Sequence, residues 1–384
     1  MGTLSYEQDV GKANLSGWDS VDSDRPQPFT HTPSKTNGEA VALRAPTPTR
    51  PTLTRRVIRP IGLIIAVGVL AVCALLSVTV GAKPIPAADV WAALTDYNGS
   101  YDHDVIRSLR VPRTIIGIFV GAALGLAGAL MQALTRNPLA EPGILGINSG
   151  AAAAVVVAVF VFGATGAGLV WPAFIGAAFA AVAVYALGSR GRASATPVRL
   201  ALAGTALAAV LQGLIYGIIV LNDFVFDRIR FWQVGSLTGR DLDIFFQVAP
   251  FLIIGILVTL ALGPSLNAMA LGDDLAATLG AKIPLIRAGT AVGVILLCGA
   301  ATAAAGPIWF VGLIIPHAAR VITGPDQRWL LPYAAVLGAI LLTAADTVGR
   351  VILPSSELEV GIITALVGAP LFIALVRSRK MAQL

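Results

Sequence analysis

The residues of this chain that could do chemistry in an apolar setting are few, and the most informative are arginines placed near acids. Asp346 precedes Arg350 by four residues, the spacing and order that bring two side chains together on one helix face. One interpretation is a structural ion pair that lowers the cost of burying the acid. In the other, Arg350 stays partly free at a surface, beside Arg110 and Arg113, as a docking point for an acidic partner. The two interpretations can coexist.

The sequence motifs of several enzyme classes are missing. No G-x-x-x-x-G-K-[ST] phosphate loop occurs, so the chain does not bind ATP in that way. No H-E-x-x-H occurs either, and His31, His103 and His317 stand in separate segments, too far apart for one metal site. Cys73 and Cys298 lie inside apolar runs without metal-type spacing and are interpreted as packing residues. We therefore predict no catalytic site, and no metal or cofactor bound by this chain.

Polar and small residues inside the apolar runs indicate how helices meet. Gln132 and Gln212 are each either a hydrogen-bond partner between helices or part of a polar pathway, and the sequence leaves both interpretations open. A second feature is a series of glycines, mostly four residues apart, which forms a smooth stripe where another backbone can pack closely. Its members are Gly117, Gly121, Gly125 and Gly128.

The composition places these residues in a membrane. Hydrophobic residues make up 56% of the 384 positions and charged residues 12%, whereas soluble domains carry about 25% charged residues. This balance excludes an ordinary cytosolic enzyme, a nucleic-acid-binding domain and a disulfide-stapled secreted scaffold. The sequence predicts an all-α, polytopic membrane protein that contacts the lipid bilayer and no nucleic acid.

Hydrophobic runs of about 20 residues divide the chain into spans. Residues 1–56 are rich in Ser, Thr, Asp and Pro and are predicted to be a disordered tail, followed by a membrane domain over 57–384. Ten spans are predicted, of which 288–303 and 305–319 are short and could together be one kinked helix. The spans are 57–80, 114–134, 143–163, 168–188, 199–221, 244–263, 288–303, 305–319, 330–349 and 360–376.

Basic residues at the two ends predict the orientation, because Lys and Arg are retained in the cytoplasm. Arg55 and Arg56 precede the first span, Arg59 lies at its start, and Arg377 follows the last. Both termini, including the tail, are therefore predicted to be cytoplasmic in a multi-pass protein of the cell membrane. The outward segments 81–113 and 222–243 also carry arginines, which breaks the bias and requires an explanation.

The segment between the sixth and seventh spans, 266–280, is predicted to form two short cytoplasmic helices. Asp273 and Asp274 suit the first turn of a helix, where negative charge offsets the helix dipole, and Gly280 suits a C-terminal end. The alternative is an amphipathic connector that lies on the membrane surface.

Several runs of residues together resemble a known family. Residues 110–113 read R-V-P-R, residues 128–143 read G-A-L-M-Q-A-L-T-R-N-P-L-A-E-P-G, and residues 306–317 read G-P-I-W-F-V-G-L-I-I-P-H. Further matches lie at 346–350 and 368–370. These runs resemble the signature of the FecCD family, the membrane permeases of ABC importers for iron–siderophores, haem and cobalamin. The resemblance extends from the first span to the C-terminus.

The resemblance implies a set of partners. Family members have ten helices per subunit and pair with a second permease subunit of the same type, expected here as a heterodimer, or with a second copy. They bind two ATPase subunits, which hold ATP and magnesium, and receive cargo from a soluble periplasmic protein or lipoprotein. Arginines at the positions matching Arg110, Arg113 and Arg350 pair with glutamates of that binding protein, which would explain the outward arginines.

The resemblance also assigns a role to the segment 266–280. This segment matches the coupling helices of the family, which fit a cleft on the ATPase. The residues expected to take part in coupling are Leu271, Gly272, Asp273, Asp274, Leu275, Ala276, Leu279 and Gly280.

Within the family, several runs look like the ferric-enterobactin branch. They include residues 230–237, and residues 357–361 lack the proline that most members carry before the last helix. The expected function is import of a ferric siderophore, with a catecholate cargo. Haem, cobalamin and ferric citrate are the alternative cargoes, and a non-transporting membrane receptor or structural protein is the alternative class.

Overall fold

Helices account for the regular structure of this protein, which is described here from a computed structural model. The structure describes residues 53–81, 83–189, 197–353 and 356–377, and these ranges contain no β-strand. The predicted tail lies outside the described residues, except that the first helix begins at Leu53, four residues before the predicted boundary. In the described ranges the α-helices are α1 (Leu53–Thr79), α2 (Ala87–Thr95), α3 (Tyr101–Val105), α4 (Val111–Thr135), α5 (Ile147–Phe162), α6 (Val170–Gly188), α7 (Pro197–Leu221), α8 (Asp223–Val234), α9 (Leu242–Met269), α10 (Asp273–Thr278), α11 (Ile283–Ala305), α12 (Val311–Thr323), α13 (Gln327–Gly349) and α14 (Val360–Arg377).

Ten apolar helices within the described ranges correspond to the ten predicted spans. Eight are long enough to cross a membrane, and one of these is a continuous stretch, Tyr101–Thr135, in which a π-helical turn joins α3 to α4. The other two, α5 and α12, are shorter. The prediction of an all-α, multi-pass protein is confirmed, and the cytoplasmic position of both termini stays a prediction.

The two short predicted spans are separate helices, so the alternative of one kinked helix is wrong. Helix α11 ends at Ala305, and α12 begins at Val311. Gly306 has a φ of 74°, which favours glycine and ends the helix, and Pro307 has no N–H to continue it. The residues 306–310 therefore form an irregular connection between the two helices.

Helix α4 lies at the centre of the fold. In its most apolar stretch 78% of the residues are buried. The helix packs against α9, α11, α12 and α13. β-Carbons on Gly121 and Gly125 would overlap backbone carbonyls of α13, and one on Gly128 would overlap the backbone of α12. Gly117 differs, because its β-carbon would meet the side chain of Leu237 at 3.2 Å. Three of the four glycines thus let two helix backbones approach α4 without side chains between them.

The segment 266–280 departs from its prediction. Helix α9 continues to Met269, so in the described structure the segment contains one short helix, α10, and the prediction of two is wrong. Asn267 provides the physical reason, because its side chain donates to Asp326 at 2.7 Å and accepts from the N–H of Gln327 at 2.8 Å. These bonds fix the helical end of α9 against the start of α13.

The glycine contacts predict the effect of a single methyl group. We expect Gly128→Ala to lower the melting temperature and yield of the purified protein, because overpacking costs about 1–3 kcal/mol. Gly213→Ala in α7 is the matched control, since a β-carbon added there would meet no atom within 4 Å. Thermal unfolding in detergent checks this, and equal melting temperatures for the two variants would contradict the close-packing account.

Candidate functional site

Three arginines and two acids lie close together around one cleft and are called the arginine cluster here: Arg110, Arg113, Asp346, Arg350 and Glu357. Arg113 Nε donates to both carboxylate oxygens of Asp346, at 2.8 and 3.0 Å, and its Nη1 donates to Glu357 at 2.7 Å. Arg350 Nη2 donates to the same Asp346 carboxylate at 2.8 Å. The ion pair predicted from the four-residue spacing is therefore formed. Asp346 also binds an arginine of α4, which the spacing did not predict.

The arginines of the cluster also bind the C-terminal end of α1, where helix carbonyl groups lack partners within the helix. Arg350 Nη1 donates to the Ser77 carbonyl at 2.7 Å, and its Nη2 donates to Ser77 Oγ at 2.6 Å. Arg110 Nη1 donates to the carbonyls of Val78 and Thr79, both at 2.8 Å. Positive charge is also favourable beside the negative end of a helix dipole. The cluster thereby holds α1, α4 and α13 together.

The exposure of the three arginines differs from the sequence expectation. Arg110, Arg113 and Arg350 are only 7, 8 and 4% exposed. The expectation that Arg350 stays partly free at a surface is wrong in this structure, because Asp346 and Ser77 occupy its donors. The role of the three arginines in docking a partner stays a prediction.

A cleft of about 490 Å³ leads to the cluster from the surface. Lys83 and Asp102 form an exposed ion pair at its edge, at 2.7 Å. The side chain of Glu357 is 36% exposed, compared with 9% for its partner Arg113, so Glu357 is the acid that an incoming group can reach. Sequence reasoning missed this contact because 244 residues separate Glu357 from Arg113.

Helix α10 and the residues that flank it, beyond the opposite end of α4, expose apolar side chains. Leu271, Leu275 and Leu279 are 58, 51 and 65% exposed. Ala276, in contrast, is fully buried against the rest of the protein. Neighbouring exposed leucines favour contact with another protein or a membrane.

The two glutamines that share one sequence prediction have different environments. Gln132 is 3% exposed, donates to the Leu313 carbonyl at 3.1 Å and accepts from Arg320 at 3.1 Å, so it links α4 to α12. Gln212 lines a cavity of about 150 Å³ and is exposed. An amide facing lipid is costly, so this surface suits water or a polar ligand. The other residues lining the cavity are Asn148, Ser149, Ala152, Gln233, Pro307 and Trp309.

One acid near this cavity was missed by the sequence reasoning. Glu141 Oε1 accepts the backbone N–H of Phe310 at 2.9 Å, at the start of α12. Phe310 has a φ of 69°, a conformation uncommon for residues other than glycine. Burial raises the pKa of Glu141, and the hydrogen bond from Phe310 partly offsets that shift. The contact holds the irregular connection that carries Trp309, and its 169-residue separation left no local signal.

Comparison with known proteins identifies the family. Residues 69–378 match the FecCD transport family, which is most of the chain. The chain belongs to the FecCD transport family. Members are permease subunits of ABC transporters, so this FecCD protein is a transporter subunit of the cell membrane and not an enzyme. The resemblance seen in the sequence motifs is confirmed.

Relatives of this FecCD protein match it over nearly their whole length. It is 44% identical over 308 residues to the probable siderophore transport system permease protein YfiZ of Bacillus subtilis (strain 168), covering 80% of this chain and 92% of YfiZ. It is 45% identical over 312 residues to the ferric enterobactin transport system permease protein FepD of Escherichia coli (strain K12), covering 81% and 93%. A solved structure of an inward-facing metal-chelate type ABC transporter superposes with a TM-score of 0.73 at 28% identity, over 83% of this chain and 99% of that one.

The contacts of the arginine cluster predict that the stability of this FecCD fold depends on Asp346. Asp346→Asn should destabilise the protein by about 3–5 kcal/mol, because Arg113 and Arg350 would remain buried without their shared counter-charge. Asp102→Asn is the control and should cost at most about 1 kcal/mol, since its bridge to Lys83 is largely exposed. Thermal unfolding in detergent measures both, and similar small shifts would contradict the central role of Asp346.

Proposed function

We propose that this FecCD permease moves a ferric siderophore from an external binding protein into the cytoplasm. ATP hydrolysis on two partner ATPase subunits, which hold the ATP and magnesium, drives the movement. The observation that carries the proposal is the 44 and 45% identity to two permeases, one named for siderophores and one for ferric enterobactin. A second permease subunit, either a related chain or a second copy of this one, completes the pathway.

The polar cavity beside Gln212 favours a catecholate cargo. Trp309 is 43% exposed and borders both this cavity and a groove along α14. A catecholate chelate presents aromatic rings that can stack on the indole, and amides that can bond to Gln212 and Gln233. Ferric citrate has no aromatic ring to use this surface. Haem and cobalamin are large and also carry conjugated rings that can stack on an indole. Uptake measurements separate these two cargoes from a catecholate.

The arginine cluster supports docking of an acidic partner at the cleft. Arg110, Arg113 and Arg350 line the cleft and place positive charge there, which favours an incoming carboxylate. An incoming carboxylate would meet Arg113 where Glu357 now binds it, and the two acids would compete for Nη1. Charge complementarity of this kind steers encounter and fixes the register of the two proteins.

Cargo choice is tested by uptake in cells that lack this chain and are complemented with it. We expect the chain to restore uptake of radioactive iron supplied as a catecholate chelate, and to restore it less for iron hydroxamate or ferric citrate. Haem and labelled cobalamin complete the panel. Restoration of another cargo alone would reject the catecholate assignment, and restoration of none would reject the transport function.

Docking is tested through Glu357, because the buried arginines cannot be replaced without disturbing the fold. Glu357→Gln removes the competing acid and should raise the association rate of the binding protein about two- to tenfold at low salt. This increase in association rate should disappear at high salt, where charges are screened. Asp227→Asn is the control, since this exposed acid pairs with Arg230 on α8 and does not line the cleft. Equal rates for the two variants would contradict docking at the cluster.

A further inference from the structure

Asp273, in the first turn of α10, binds two arginines from different helix ends. Its Oδ1 accepts from Arg136 Nη2 at 2.5 Å, and its Oδ2 accepts from Arg287 Nη2 at 2.6 Å. Arg136 Nη2 also donates to the carbonyl of Met269, the last residue of α9, at 2.9 Å. One carboxylate therefore connects α10 to the end of α4 and to the start of α11.

Arg136 is well placed to transmit movement along α4. It follows the last residue of this helix, has a φ of 50°, and its backbone N–H caps the helix through the Gln132 carbonyl. The 25 residues of α4 span roughly 37 Å at the helical rise. At the other end of the same helix, Arg113 binds Asp346 in the arginine cluster. A displacement of Arg136 along the helix axis would therefore reach the cluster through a buried, closely packed helix.

Helix α10 itself is only lightly attached. It has six residues, and the glycines on either side, Gly272 and Gly280, have φ values of 106° and 84°. A β-carbon at either glycine would meet no atom within 4 Å, so both turns lie in open space. In the described residues, the side-chain polar contact between α10 and the end of α4 runs through Asp273 and Arg136.

We propose that Asp273 is a positioning residue that passes movement of α10 to α4 and α11. The proposal rests on the proposed function, in which partner ATPase subunits drive transport, and on contact of one such subunit with the exposed leucines in and beside α10. The side chains of Asp273, Arg136 and Arg287 are 40, 46 and 35% exposed, so the bridge adds little to stability. The role of the bridge is to transmit movement, because it joins the lightly attached helix α10 to the central helix α4.

Asp274 provides the matched comparison. It lies in the same first turn, and within the described part of the chain no ion pair is formed by it. Asp273→Asn and Asp274→Asn remove the same charge and a similar interaction with the helix dipole. A decrease in chelate moved per ATP that both variants share therefore reflects the loss of charge at the ATPase surface. Only the additional decrease in Asp273→Asn reflects the loss of the bridge.

The experiment uses the complete transporter in proteoliposomes, with its binding protein and a radioactive ferric catecholate. We expect the amount of chelate moved per ATP hydrolysed to be about tenfold lower for Asp273→Asn than for Asp274→Asn, a size typical of coupling between sites. Asp273→Glu keeps both arginine partners within reach, so this variant should retain most of the wild-type amount of chelate moved per ATP. Thermal unfolding of the three variants should be similar.

Other outcomes overturn the proposal in distinguishable ways. Equal ratios for Asp273→Asn and Asp274→Asn would show that the bridge transmits nothing. Loss of ATPase subunits from Asp273→Asn alone during purification would assign Asp273 to the subunit interface instead. If the wild-type transporter moved none of the chelates in the uptake panel, the proposed function would fail, and this inference with it.

Discussion

The carboxylate of Asp346 is the contact on which the arrangement of helices depends. A buried charge is stable only when it is paired and hydrogen-bonded, and Asp346 is paired with Arg113 of α4 and with Arg350 at the end of its own helix. The remaining donors of Arg350 reach the end of α1 at Ser77. Three helices are therefore held in one relative position by a single shared acid.

Helix α4 extends this constraint through the protein. The glycines at 121, 125 and 128 let α12 and α13 pack directly on its backbone, so the helix has little room to move independently of them. One end carries Arg113 in the arginine cluster, and the other end meets α10 through Arg136. In an ABC permease these two ends correspond to the proposed contacts with the binding protein and the ATPase. The two surfaces are thus joined by one rigid element.

The proposed cargo surface lies to one side of this axis, where polar groups are exposed among apolar helices. Gln212 of α7 and Trp309 of the irregular connection border the same cavity. The connection is fixed by Glu141, which bonds to Phe310 at the start of α12. Because α12 also bonds to α4 through Gln132, a movement of α4 would alter the position of Trp309. The geometry therefore links the cargo surface to the helix that joins the two partner surfaces.

The sequence by itself determined the membrane class, the ten apolar helices, the Asp346 and Arg350 pair and the charged first turn of α10. Each of these depends on local order along the chain, either hydrophobic runs or the helical repeat. Only the tertiary structure decided that the arginines are buried, that Gln132 links helices while Gln212 lines a cavity, and that α9 continues to Met269. Those outcomes depend on partners far away in sequence, such as Arg113 and Asp346, 233 residues apart. Local periodicity carries no information on which distant side chain will meet a given group, because packing of the whole helix bundle makes that choice.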